Sequence, residues 1–237
     1  LAMLKIAGIN IVIVPGANDH IDRILKQYGI KSITKNGIRI STEEAIPFIK
    51  MAGFDVANRV MTSLSRSKIS AVIGNWVSAM GRGVIDGLDY QATGLVKKIS
   101  KESLLKVIND DLVPIFPCIG WNSTGKPYNI SSRELATEIS KTLKSSKLFF
   151  IGEHKKINGL SRMDLTTAEN YIGEFEPLVN QGVDACNSGI QRVHIIDGRV
   201  EGVILKEIFS NTGVGTMIHA NDYEMIRDMG SNDITDV

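Results

Sequence analysis

With 237 residues, the chain is long enough for one large α/β domain with a substantial core, or for two small ones. Hydrophobic residues make up 43% and charged residues 22%, with ordinary Gly and Pro usage, which excludes a disordered or fibrous chain. Lys and Arg number 27 against 26 Asp and Glu without a long block of either sign, so charge gives no reason to expect nucleic acid or a membrane surface as partner.

In chain order, Leu1 to Lys5 reads as the tail of a helix, with Gly8 as its C-cap before a strand over 9–14. The chain therefore reads as lacking sequence upstream. Continuous β-rich runs at 11–14, 70–73, 113–119, 147–151 and 192–196 read as buried strands. Between them the 3.6-residue period predicts helices over 20–28, 42–64, 101–109, 132–144, 176–188 and 203–209. Two of these open on capping-box signatures, Ser41-x-x-Glu44 and Ser131-x-x-Glu134, in which a hydroxyl and a carboxylate can satisfy orphan amides reciprocally. Residues 83–99, rich in Gly and Asp, read as a hairpin excursion. Alternation of strand and helix predicts an α/β fold, an open three-layer αβα sandwich with a mainly parallel sheet, its ligand sites beyond the carboxyl ends of the strands. The loops 16–18, 120–129 and 213–216 are the places to inspect.

Cys118 and Cys186 each lie in an apolar stretch, which argues against a disulfide framework or a Cys metal site and for a reducing compartment. That compartment is the cytoplasm, or the mitochondrial matrix in a eukaryote. No apolar run reaches the length of a membrane span. The segment Gly120-Trp-Asn-Ser-Thr-Gly125-Lys126 has P-loop spacing, but Pro127 stands where the Mg-binding Ser or Thr must be, so it reads as a plain turn. His20, His154, His194 and His219 show no metal-ligand spacing and no nucleophile motif, and read as structural. Asp86-Gly-Leu-Asp89 has too few oxygen ligands for a calcium loop. No metal and no cofactor are expected in this chain.

Two stretches, Val14-Pro-Gly16-Ala-Asn-Asp-His-Ile-Asp22 and Asn36-Gly-Ile-Arg39-Ile-Ser, resemble the amino acid kinase family, specifically N-acetylglutamate kinases and synthases. So does the run Val193-His-Ile-Ile-Asp-Gly-Arg199, followed by Lys206-Glu-Ile-Phe209 and Gly213-Val-Gly-Thr-Met-Ile218. The resemblance covers nearly the whole chain and is weakest from Glu153 to Glu176. In the kinases it implies two lysines and an orienting Asp that stabilise the transferred phosphoryl group. Here the strand with the first Lys is absent, Leu178 replaces the second, and Arg133 stands for the Asp. The synthases share these departures, and also Gly74-Asn75-Trp-Val, Gly83-Val-Ile-Asp-Gly-Leu-Asp89 and Ala185-Cys-Asn-Ser-Gly-Ile190.

The resemblance therefore implies residues 1–230 as an amino acid kinase-like regulatory domain of an N-acetylglutamate synthase. Residues 231–237 read as the opening of its truncated GNAT acetyltransferase domain, whose substrate is acetyl-CoA. No catalytic residue is expected here, and the chain alone is expected to be inactive. By motif, L-arginine as effector falls on Lys147, Leu205, Glu207 and Gly213. A vestigial N-acetylglutamate site falls on Gly16, Arg39 and Asn129. From the residues alone, Glu207 reads as a solvated helix carboxylate and Lys147 as a snorkelling strand-edge lysine. Glu207→Gln is accordingly expected to leave the unliganded melting temperature nearly unchanged. The implied partners are the acetyltransferase domain of the same protein and further copies of the chain, as dimer or hexamer. The alternatives are a working N-acetylglutamate kinase and a non-catalytic amino acid sensor or assembly module.

Overall fold

The computed structural model describes residues 1–35, 37–154, 156–210 and 213–220. The chain opens with α1 (Ala2–Ile6) and α2 (Asn18–Gln27), then the hairpin β1 (Ile33–Lys35) and β2 (Ile38–Ile40), and the long helix α3 (Ile46–Arg66). Next come β3 (Ala71–Ile73), β4 (Val77–Gly81), the small hairpin β5 (Val84–Ile85) and β6 (Leu88–Asp89), β7 (Gly94–Ile99) and α4 (Lys101–Asn109). They are followed by β8 (Val113–Ile115), the hairpin β9 (Ile119–Trp121) and β10 (Pro127–Asn129), and α5 (Ser132–Leu143). The last part holds β11 (Lys147–Gly152), β12 (Arg162–Asp164), α6 (Leu165–Glu169), α7 (Glu176–Asn187), β13 (Arg192–Asp197), α8 (Val203–Phe209) and β14 (Thr216–His219).

The architecture is the expected three-layer αβα sandwich. Parallel pairs β3–β8, β4–β9, β11–β13 and β12–β14 carry its middle. Antiparallel pairs, β9–β10, β4–β7 and β13–β14, join them into mixed sheets. One four-stranded sheet runs β10-β9-β4-β7 and another β11-β13-β14-β12. The expected strand at 11–14 is reduced to a bridge from Ile13 to Ile115, with the Ile13 amide on the Pro114 carbonyl and the Phe116 amide on the Ile13 carbonyl. The expected strand at 113–119 splits in two, because Pro117 has no N–H to continue the ladder.

Both capping boxes need correction. Helix α3 starts at Ile46 with no side-chain cap, because Ser41 is spent on tertiary contacts. Its N–H donates to Thr93 Oγ1 at 2.8 Å and its hydroxyl accepts from Asn129 Nδ2 at 2.9 Å. Ser131 does precede α5 but caps nothing with its side chain, and Glu134 turns to Arg82 instead, at 2.6 and 2.7 Å.

Strand alternation decides what surrounds α8. Leu148, Phe150, Val193 and Ile195 point into the core shared with α7. Lys147, Phe149, Arg192 and His194, one residue out of phase, share the opposite face. The register pairs Lys147 with Arg192 and Phe149 with His194.

Candidate functional site

Helix α8 has its N-cap at Gly202 and sends Glu207 inward, where it is 7% exposed. His194 Nδ1 lies 2.8 Å from Glu207 Oε1, and the amides of Val214 and Gly215 donate to Oε2 at 2.7 and 2.9 Å. An ionised carboxylate can only accept, so Nδ1 is the donor, and the imidazole also stacks on Phe149 with centroids 4.6 Å apart. Nε2 of His194 is buried without a hydrogen-bond partner among the described residues. Burial pushes the Glu207 carboxyl up, but the His194 and backbone hydrogen bonds outweigh it and hold the pKa at about 2. Glu207 is therefore an ionised, buried anchor for the glycine turn, and not the solvated helix carboxylate that the residues alone suggest.

Gly213 sits in that turn at φ +60, where a Cβ would come 3.1 Å from Glu207 Oε2. Gly215 is tighter still, since a Cβ there would stand 2.3 Å from the Ile195 carbonyl oxygen. Open backbone on both sides of Val214 is what lets two amides converge on one oxygen. Lys147, at the start of β11, is half-buried, and its pKa is lowered by burial and by Arg192 while Glu207 pulls it up. The fold thus groups Lys147, Glu207 and Gly213. Leu205 lies two positions before Glu207, so its side chain leaves a different face of α8.

Gly16, Arg39 and Asn129 sit at the other half of the molecule. Arg39 grips both oxygens of Asp22, at 2.6 and 3.0 Å, and also donates to Ser32 Oγ and, at 3.4 Å, to the Asn18 carbonyl. All four terminal N–H groups of Arg39 are thus occupied within the chain. The Arg39 carbonyl accepts from Thr93 Oγ1 at 2.7 Å, which links it through Ser41 to Asn129. A Cβ on Gly16 would stand 3.4 Å from Ser132 Oγ, at the start of α5.

The amino acid kinase family model matches residues 1–197. The chain belongs to the amino acid kinase family. It is 30% identical to an amino-acid acetyltransferase from Shewanella oneidensis, over 99% of this chain and 58% of that protein. It superposes with TM-score 0.86 and 25% identity on an N-acetylglutamate synthase from Neisseria gonorrhoeae complexed with coenzyme A and L-arginine, over 98% of this chain and 59% of that one. The same enzyme complexed with coenzyme A and N-acetyl-glutamate gives TM-score 0.85 and 26% identity. The chain thus spans less than two thirds of the length of these relatives.

Set against the phosphoryl-transfer residues of the amino acid kinase family, Leu178 is 2% exposed within the core of α7, whereas Arg133 is exposed at the start of α5. The segment with P-loop spacing is the turn of the β9–β10 hairpin, closed by the Asn122 amide on the Lys126 carbonyl and by Asn122 Oδ1 accepting from the Thr124 and Lys126 amides. Cys118 and Cys186 are buried, and burial pushes their thiols up to about 12 and about 11, far from nucleophilic use. Among the described residues no cluster of His, Cys, Asp and Glu is placed to hold a metal, and no helix is long and apolar enough to cross a membrane. The segment 231–237 lies outside the described residues.

His194 is the site residue that the motifs did not single out. Its signal is present in the strand period, since it lies two positions after Arg192 and faces the same way as Lys147. The Val214 and Gly215 amides carry no side-chain signal at all.

Proposed function

We propose that this chain is the arginine-binding, regulatory amino acid kinase-like part of an N-acetylglutamate synthase. The whole enzyme would join acetyl-CoA and L-glutamate into N-acetyl-L-glutamate, the opening step of arginine biosynthesis, through a further domain. The observation that carries this reading is the buried, ionised Glu207 grouped with Lys147 and the glycine turn. Support comes from the relative of the same fold that was solved with L-arginine. A guanidinium calls for a carboxylate, and Glu207 Oε1 has a lone pair beyond the one that His194 uses. The carboxylate of the amino acid calls for a cation, which Lys147 supplies.

Phosphoryl transfer has no support here. A transition state with spread negative charge needs converging cations, whereas Leu178 is apolar and core-packed. Arg39, with its terminal N–H groups taken by Asp22, Ser32 and Asn18, acts as a clasp between α2 and the β1–β2 hairpin.

The test is thermal: L-arginine at about a hundredfold over its Kd should stabilise the chain by roughly 2.7 kcal/mol, read as a rise in melting temperature. Lysine and citrulline are the controls, one keeping the charge without the planar fork and the other the shape without the charge. Lys147→Met should lose most of the rise. No shift at millimolar arginine would overturn the reading.

A further inference from the structure

Thr216 follows the glycine turn directly and is fully buried. Its hydroxyl both accepts from and donates to one distant segment. It accepts from the Ile157 amide at 2.9 Å and donates to the Leu160 carbonyl at 2.7 Å. The next residue, Met217, sends its amide to the Ser161 carbonyl at 3.0 Å. The segment so gripped is a tight turn, Ile157–Gly159, with Asn158 at φ 50 and Gly159 at φ 73. Asn-Gly is the pair best suited to two successive left-handed positions, and the Leu160 amide closes the turn on the Ile157 carbonyl at 2.9 Å, so the turn forms locally. Its docking against β14 rests on the Thr216 and Met217 bonds and on the buried Ile157 side chain. On the other side of Thr216, the Gly215 amide is held by Glu207 at 2.9 Å.

The geometry points to Thr216 as a positioning residue that couples the Glu207 turn to the segment 157–161, and through it to β12 and α6. A change in what Glu207 holds moves Gly215, and Thr216 cannot follow without straining or releasing both bonds to Ile157 and Leu160. The segment therefore has two states, latched and released, whose balance the turn biases. The ligand arm of the test rests on the arginine reading above, whereas the variant arm does not.

Amide hydrogen exchange reads the latch at Ile157, taken relative to the Leu104 amide of α4, which bonds to Ser100 far from this site. Without ligand, Glu207→Gln should speed Ile157 exchange about tenfold beyond any change at Leu104. Gly213→Ala, strained at φ +60 and close to Glu207 Oε2, is the second turn variant and should do the same. Thr216→Val should speed Ile157 by itself, and adding Glu207→Gln to it should give little more, the non-additivity expected of a shared path. Thr216→Ser, which keeps the hydroxyl, should restore the parent rate. In the parent, arginine should slow Ile157 exchange, and in Thr216→Val it should still raise the melting temperature without slowing Ile157. If Glu207→Gln and Gly213→Ala speed the Val214 and Gly215 amides but leave Ile157 in step with Leu104, the coupling is overturned. If arginine gives no melting shift at all, the arginine reading falls, and the variant arm alone decides the coupling.

Discussion

At the scale of single residues, Glu207 changes most between sequence and structure. Glu207→Gln was expected to be silent in the unliganded protein, but the side chain is buried against one imidazole and two amides. A glutamine can keep both amides on its one oxygen only by turning its NH2 to His194 Nδ1, which forces the imidazole into its other tautomer and loses the charge on all three bonds. The substitution should therefore destabilise the free protein by roughly 2–4 kcal/mol, about 4–16 °C for a chain of this size, measurable by calorimetry. The loss of arginine response in Glu207→Gln must be judged against that lowered baseline, which is why Lys147→Met is the cleaner probe. The carboxyl also sets an acid limit. Its folded pKa of about 2 lies below the ordinary 4.5. Its contribution is thus fully present above about pH 4.5 and is lost as the pH falls towards 2. Acid unfolding followed by circular dichroism should shift to lower pH and broaden less in the parent than in Glu207→Gln.

At the scale of elements, the capping signals show how tertiary contacts override local chemistry. Ser131 stands at the N-cap of α5, yet its side chain makes no cap bond, so Ser131→Ala should be nearly neutral. Asp164 does cap α6, accepting from the Thr167 amide at 2.7 Å, and Asp164→Ala should lower the melting temperature. Equal effects of the two changes in a thermal melt would count against this assignment. Gly215→Ala tests the turn before β14. Its Cβ would stand 2.3 Å from the Ile195 carbonyl oxygen, so the β13–β14 pairing must shift. We expect a loss of several kcal/mol in a chemical denaturation curve.

At the scale of the whole molecule, the chain should not phosphorylate N-acetylglutamate from ATP. A turnover of about one per second, ordinary for kinases, would sink the reading of Leu178 and Arg133. The chain should also assemble at least as a dimer, and light scattering that finds a stable monomer at micromolar concentration would refute this. Three-layer architecture, helix positions and the strand runs at 147–151 and 192–196 were legible in the sequence because they rest on local periodicity and turn chemistry, which are properties of neighbours along the chain. The resemblance added the family and pointed to Lys147, Glu207 and Gly213. Tertiary structure alone decided that Glu207 is buried and ionised, that His194 is its partner, that Asp22 takes Arg39, and that Ser41 serves Thr93 and Asn129 in place of a helix cap. Each of these contacts joins residues whose meeting depends on strand register and helix docking, and a hydrogen bond has no sequence signature until the fold has brought donor and acceptor within 3 Å or so.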